Sequence, residues 1–326
     1  MNIGIIGTGS IARTICKTLN TLKDPEIVLY ACASRREEKS KLFAEENNIK
    51  HFYGSYEAML KDPNVDLVYI ATPHSEHYKH IKMSLEHNKN VLCEKPLCVN
   101  YKQAEAMFKL AEEKKLLLQE AFWTRFTPAS RYLKTLMASF NNVSQVKITF
   151  GMYLKHIKRL SDPSLAGGAL LDLGVYPISM AMNLLGNECQ LTDLKYHLLK
   201  TGVDKDDDIT LIFDNKTMVN MKISIAKPMF SNFTLKAENG SLKVKGINLH
   251  KKAEVNFNNH VTKVNFNNIV NGYEYQFIKV KEALKNNLLQ CQEMTKEDSL
   301  AILKVLDEIR KRENIVYPFE KLNYGL

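Results

Sequence analysis

The first nineteen residues restrict the fold more than any other stretch of the chain. Asn2–Ile6 is a short apolar run, and Gly7-Thr8-Gly9-Ser10-Ile11-Ala12 follows it directly. From Ser10 to Leu19, residues Ile11, Ala12, Ile15, Cys16 and Leu19 recur on one helical face. A strand that turns through G-x-G-x-x-A into a helix is a dinucleotide-binding fingerprint. Gly7 permits the tight turn, Gly9 lets the backbone approach a pyrophosphate, and Ala12 allows close helix–strand packing. The phosphates then lie at the helix N-terminus, where free N–H groups and the dipole favour an anion.

The alternation continues beyond this motif. Ile27–Ala33, Asp66–Ala71, Asn90–Cys93 and Leu116–Gln119 read as strands; Glu37–Glu46, Ser75–His87 and Tyr101–Lys114 read as helices. That order predicts a parallel sheet with helices on both faces. The character changes near Phe122–Pro128. A helix over Ala129–Ser139, with Pro128 near its first turn, precedes strand-like runs at Val143–Gly151, Leu191–Leu199, Ile209–Phe213, Thr217–Ile225, Phe233–Ala237 and Ser241–Val244. Asn239-Gly240 is a two-residue hairpin signal, so this sheet is expected to be mostly antiparallel. Two helices close the chain. Tyr273, Phe277, Val280 and Leu284 share a face of the first, and Thr295 with Asp298 gives a capping-box start to the second. The second helix turns Ile302, Leu306 and Ile309 inward. The asparagine-rich segment 256–271 reads as a surface strand pair or loop. The expected division is an α/β dinucleotide domain over 1–121 and a second α/β domain over 122–326, whose last helix has the option of packing back on the first.

Composition narrows the function classes. A net charge of +9 permits an acidic partner, but Arg35-Arg36-Glu37-Glu38-Lys39 and Glu112-Glu113-Lys114-Lys115 interleave both signs along helical faces. Solvated faces explain that better than a nucleic-acid stripe. Met1–Ile6 lacks the basic lead of a signal peptide, and no membrane span is expected. None of the six cysteines forms a C-x-x-C pair, so reduced thiols and a cytoplasmic setting are expected. His74, His77 and His80 lie close together without a further ligand cluster, and no metal is expected.

Three segments carry candidate chemistry. Ser34-Arg35-Arg36 ends the second strand, where NAD sites usually place an acid for the ribose hydroxyls. A serine and two arginines suit a 2′-phosphate instead, so NADP is expected over NAD. Cys93-Glu94-Lys95-Pro96 ends another strand of the same half, where ligands of open α/β sheets bind. Gly167-Gly168-Ala169-Leu170-Leu171-Asp172-Leu173-Gly174-Val175-Tyr176-Pro177 is the third. A helix beginning near Gly174 accommodates Pro177 in its first turn and puts Asp172 and Tyr176 four residues apart at its start. On spacing alone, an Asp172 that caps and a Tyr176 that packs in the core explain this segment equally well.

Taken in order, these motifs resemble the Gfo/Idh/MocA family, the glucose–fructose oxidoreductase and inositol dehydrogenase group. Gly7–Ala12 matches its fingerprint. Ala71-Thr72-Pro73-His74-Ser75-Glu76-His77 is similar to its T-P-x-x-x-H segment on the nicotinamide side, and Glu94-Lys95-Pro96 to its E-K-P motif. Asp172–Tyr176 is similar to its D-x-G-x-[HY] motif, and the ending Ile315-Val316-Tyr317-Pro318 also fits. Tyrosine at 176, with Glu120–Phe126, resembles the NADP-using dihydrodiol dehydrogenase and D-xylose dehydrogenase branch. The resemblance implies a Rossmann domain, a second domain with a large open antiparallel sheet, and a homodimer or homotetramer through that sheet. It implies hydride transfer between nicotinamide C4 and a carbinol or carbonyl carbon of a sugar, polyol or cyclic diol. Tyr176 is then the general acid/base with Lys95 beside it, the ammonium lowering a phenol pKa from about 10. Lys95 itself is the other candidate for proton transfer. Asp172 orients substrate hydroxyls or holds Lys95, and Trp123 and Arg125 line the nicotinamide end. Alternative readings are a sugar-phosphate dehydrogenase or reductase, and a non-catalytic NAD(P) sensor.

Overall fold

Parallel strands cannot be joined by a tight turn, so each strand of the N-terminal sheet hands over to a helix before the next begins. The structure, a computed structural model, describes residues 1–214, 216–248 and 251–320. The chain forms two compact units, Met1–Phe126 with Asn268–Ser299, and Thr127–Asn267 with the residues from Leu300 onward.

In the first unit, strands β1 (Asn2–Ile6), β2 (Val28–Ala33), β3 (His51–Tyr53), β4 (Leu67–Ile70), β5 (Asn90–Glu94) and β6 (Leu118–Ala121) form one sheet ordered β3-β2-β1-β4-β5-β6. Every pairing in it is parallel. Helices α1 (Ser10–Leu22), α2 (Glu37–Asn47), α3 (Tyr56–Leu60), α4 (His77–Glu86) and α5 (Tyr101–Lys114) make the crossovers. Strand order reverses between β1 and β4, which creates a crevice at the carboxyl ends of those strands. Ile3, Ile5 and Ile6 have no exposed surface, as a sheet covered on both faces requires. Ala12, Ile15, Cys16 and Leu19 form the buried face of α1. Full burial of one such side chain as Ile15 contributes about 1.5–3 kcal/mol. β3 and α3 did not show in the sequence pattern because 3 and 5 residues are too few for a period to register.

A short helix, α6 (Trp123–Phe126), closes this part of the chain, and α10 (Glu274–Lys285) returns to the same unit. The segment after α10 covers the edge strand β6. Leu118 N–H donates to the Leu289 carbonyl, while the Gln119 side chain donates to the Met294 carbonyl and accepts from Cys291 N–H, the last two both at 2.8 Å. A sheet edge that would otherwise present open backbone groups is thereby satisfied.

The second unit opens with α7 (Pro128–Met137), which starts on a proline whose missing N–H is harmless there. Its sheet comprises β7 (Gln145–Gly151), β8 (Cys189–Leu198), β9 (Asp204–Phe213), β10 (Met218–Ser224), β11 (Met229–Ala237), β12 (Gly240–Lys245), β13 (Lys252–Phe257) and β14 (His260–Asn265). The order is β14-β13-β12-β11-β7-β10-β9-β8, antiparallel except between β7 and β10. Alternate residues turn inward, such as Val146, Ile148 and Phe150 on β7 and Val219, Met221 and Ile223 on β10. The open face carries Lys147, Lys222 and Lys243 instead, each exposed.

The first hairpin differs from the sequence pattern, and the second is the strand pair that the pattern allowed. Ala237 pairs with Gly240, so the loop is Glu238-Asn239 and Gly240 already belongs to β12. A Cβ on Gly240 would lie 2.0 Å from the Asn256 carbonyl, so the neighbouring strand demands the glycine, not the turn. The asparagine-rich segment holds a turn with two positive φ angles, Asn258 at 47° and Asn259 at 67°, between β13 and β14. Asparagine tolerates that conformation better than most residues.

The helix carrying Asp172 and Tyr176 begins earlier than expected. Leu170–Gly174 forms a π-helical turn that runs into α9 (Val175–Leu185), with Val175 N–H bonding to the Leu170 carbonyl. Pro177 follows as the third residue of α9, whose N-cap is Gly174, so it lies in the first α-helical turn as expected. The stretch Pro163–Leu185 is long and apolar enough to cross a membrane, contrary to the expectation that none exists. Its most apolar window is 89% buried, and a core helix explains the composition. The last helix, α11 (Lys296–Glu313), has the expected Thr295–Asp298 reciprocal cap and buries Ile302, Leu306 and Ile309.

β9 begins five residues before its apolar pattern does, and this buries Asp204 and Asp207 next to Glu313 of α11. Carboxyls hydrogen-bond to one another only if one keeps its proton. Burial, then the charge of Asp204, pushes Glu313 up to about 8, against the pull of Asp207 and Arg310. The folded chain then holds a proton that the unfolded chain releases above about 4.5, so this group's contribution to stability falls between about pH 4.5 and 8. The melting temperature of Glu313→Gln should therefore fall less steeply across that window than that of the wild type. Equal slopes in thermal melts would remove Glu313 from the titration.

Candidate active site

At the end of β1, Gly7 has φ 103°, and a Cβ there would lie 2.7 Å from the Ala71 carbonyl. The turn into α1 therefore accepts only glycine. Gly9 is different. It is the N-cap of α1, with no side-chain cap and no acidic residue in the first turn. A Cβ on Gly9 would meet nothing within 4 Å. The protein's own packing does not need a glycine here, and the bare N-terminus is a fit for a dinucleotide phosphate. Thr8, Ser10 and Ile11 surround it with some exposure, and Ala12 is fully buried against the sheet.

Beyond β2, Ser34 is buried and its hydroxyl closes a local turn, donating to the Arg36 carbonyl at 2.7 Å and accepting from Arg36 N–H at 3.2 Å. Arg35 and Arg36 are both exposed, and neither joins an ion pair among the described residues. The Arg35 charge reaches Tyr56 and His80. His80 is held near 4 mainly by burial, and its Nδ1 stands 3.0 Å from Thr72 Oγ1.

The turns after β4 and β5 meet through His77. Its ring is fully buried, with Nδ1 2.8 Å from the Pro96 carbonyl and Nε2 3.0 Å from the Thr72 carbonyl. Thr72 and Pro73 on one turn are thus tied to Lys95 and Pro96 on the other, whose peptide bond is cis. The His74 ring stands edge-on to His77, with centroids 5.7 Å apart.

Below Lys95 lies a buried polar network. Tyr69 donates a short hydrogen bond to Glu94 Oε1. Burial pushes the Glu94 carboxyl up to about 7, against the stabilising Tyr69 bond and the Lys95 charge. Glu120 accepts from Leu97 N–H at 2.9 Å and from Ser299 Oγ at 2.6 Å, and burial raises it too. Arg125 Nη1 is 4.0 Å from Asp298 Oδ1, and burial brings its guanidinium down to about 10. Trp123 is buried and stacks on Tyr273, with centroids 4.4 Å apart.

In the second unit, Asp172 is buried and accepts from Arg159 Nη2 at 2.9 Å. Tyr176 is half-buried, with the Phe150 ring edge-on at 5.8 Å. Sequence reasoning did not single out Tyr69, Glu120 or Arg159 as supports of the candidate site residues. For Glu120 a signal existed, an acid inside the short run Leu118-Gln119-Glu120-Ala121 that the β/α alternation makes a strand of the sheet. Arg159 sits in a basic, partly exposed run with no pattern to distinguish it.

Among known proteins, residues 1–122 match the oxidoreductase family with an NAD-binding Rossmann fold, and residues 138–243 match the GFO/IDH/MocA C-terminal domain. The chain is 30% identical to trans-1,2-dihydrobenzene-1,2-diol dehydrogenase of Xenopus laevis, over 97% of this chain and 98% of the relative. It is 31% identical to the enzyme of the same name from Macaca fascicularis, over 98% of each. Its fold is similar to that of a 3-ketoreductase from Actinomadura kijaniata in complex with NADP and TDP-benzene, with a TM-score of 0.86, 24% identity, and 95% and 97% of the two chains covered.

Removing the Tyr69 hydroxyl strands a buried carboxyl. Tyr69→Phe should destabilise the protein by about 1–3 kcal/mol in urea unfolding, and should raise the Glu94 pKa further. An unchanged midpoint would show that the bond carries no net stability.

Proposed function

The chain belongs to the GFO/IDH/MocA oxidoreductase family, and we propose that it is an NADP-dependent enzyme that moves hydride between nicotinamide C4 and the carbinol or carbonyl carbon of a sugar, polyol or trans-dihydrodiol. The observation that carries the cofactor choice is the pair of exposed guanidiniums, Arg35 and Arg36, without an ion pair among the described residues. Exposed cations at the end of β2 suit a 2′-phosphate, whereas an acid in that place would repel it. Gly7, Gly9 and the N-terminus of α1 hold the pyrophosphate in this reading. Thr72, Pro73, His74, His77, Glu94, Trp123 and Arg125 shape the nicotinamide side, with His77 and Glu94 acting through the backbone turns and Lys95 they support.

Tyr176 takes the hydroxyl proton of an alcohol substrate, or returns it to a carbonyl oxygen. Lys95 supplies the positive charge that favours a phenolate, and Asp172, already oriented by Arg159, accepts from substrate hydroxyls. The diol end of the substrate range is supported by the dihydrodiol dehydrogenases at about 30% identity. A homodimer or homotetramer through the open face of the eight-stranded sheet, and a cytoplasmic setting suited to free thiols, complete the proposal.

Absorbance at 340 nm with NADPH and a panel of sugars, ketoses and diones tests the activity, and no turnover despite tight NADPH binding would overturn it. Replacing Arg35 and Arg36 together with alanine should raise KM for NADPH by about tenfold or more and leave KM for NADH nearly unchanged. A wild type that prefers NADH would overturn the cofactor choice. Tyr176→Phe should lower kcat by about 100-fold or more with NADPH affinity retained. Full activity in that variant would remove Tyr176 from the mechanism.

A further inference from the structure

The helix that carries Asp172 and Tyr176 has no side-chain cap of its own, since Ala169 precedes its first turn. A carboxylate from the sheet does that work. Asp204, at the start of β9 and 34 residues away, accepts from Leu170 N–H through Oδ2 at 2.5 Å, and Ala169 N–H adds a second bond. Gly168 has φ 123°, and a Cβ there would stand 2.1 Å from Asp204 Oδ1. The carboxylate occupies the space that any other residue at 168 would fill. The glycine is therefore a socket for Asp204 as well as a turn.

The same turn is held on its other sides. Gly168 N–H donates to the Leu160 carbonyl at 2.9 Å, one residue beyond the arginine that orients Asp172. The Tyr317 hydroxyl, fully buried, donates to the Gly167 carbonyl at 3.0 Å. Arg310 lies over the Tyr317 ring at 4.9 Å and forks onto both oxygens of Glu320. The C-terminal segment is thus latched to the Gly167-Gly168 turn, and Asp207 and Glu313 stand beside Asp204.

We infer that Asp204 is a positioning residue for Asp172 and Tyr176: it pins the head of their helix to the sheet, and so sets where the carboxylate and the phenol stand. The inference rests on the catalytic roles proposed for those two residues. Its logic is mechanical. An ordinary N-cap fixes a helix to the loop before it, whereas this one fixes it to a sheet strand. A misplacement of about 1 Å at a reacting group costs on the order of 100-fold in rate.

The test is a graded series read in two ways. Asp204→Asn keeps one acceptor oxygen and Asp204→Ala keeps none. With a carbonyl compound turned over by the wild type, kcat should fall about tenfold and about 100-fold respectively, while KM for NADPH stays within about twofold. Hydrogen exchange of the amides from Ala169 to Tyr176 should accelerate in the same order, with those of β10 unchanged. Exchange that rises across the whole second unit would make Asp204 a general stability residue and overturn the inference, as would unchanged kcat in a folded Asp204→Ala. If neither variant folds, Tyr317→Phe, which removes one hydroxyl from the same turn, carries both readouts with the same pattern expected. A wild type without turnover would sink the proposed function, and the exchange of Ala169–Tyr176 would still decide whether Asp204 pins the helix.

Discussion

Carboxyl groups taken out of water need donors in their place, and the two turns that carry the candidate site residues are built on that requirement. A buried carboxylate without partners is costly enough to stay protonated or to unfold its surroundings. Glu94 and Glu120 in the first unit and Asp204 in the second meet the requirement with Tyr69, Ser299 and backbone N–H groups. Each bond joins elements distant in sequence. The cost of desolvation is thus offset by contacts that also fix the turn after β5 and the head of the π-helical turn. These are the two places where Lys95, Asp172 and Tyr176, the side chains proposed to act on the substrate, stand.

The dinucleotide end is organised by a different economy, the absence of side chains. Gly7 is required by its own φ and by the Ala71 carbonyl, so it belongs to the fold. Gly9 is required by neither, which leaves room for the phosphate proposed to bind there. One motif therefore contains two kinds of glycine, and only the spatial surroundings distinguish them. Glycines 167 and 168 repeat the first kind. A Cβ on Gly167 would lie 2.6 Å from the Leu160 carbonyl, and one on Gly168 would collide with Asp204.

Much of the architecture was legible because apolar side chains report their own burial. The period of α1, the unbroken apolar β4 and the alternation along β7 and β10 each name a face. The two misreadings have different physical causes. β9 starts with Asp204-Lys205-Asp206-Asp207-Asp208, which reads as solvated loop, yet two of its acids face inward. Hairpin pairing with β8 and a donor at Leu170, 34 positions away, make that strand, and neither leaves a mark in the apolar pattern. The asparagine turn at 258–259 was blurred for the opposite reason, since polar residues on β14 give no buried face to read.

Sequence by itself determined the β/α order of the first unit, the change to an antiparallel sheet in the second, the candidate residue types at 95, 172 and 176, and the cations after β2. All of these depend on neighbours within a few positions, where backbone geometry and side-chain period are set locally. Tertiary structure alone decided that Glu120 supports Leu97 and Ser299, that Arg159 orients Asp172, and that Asp204 and Tyr317 hold the Gly167-Gly168 turn. Those are hydrogen bonds across 13 to 179 positions of chain. A polar side chain carries no periodic mark of its partner. It acquires a role only when folding removes the water that would otherwise satisfy it.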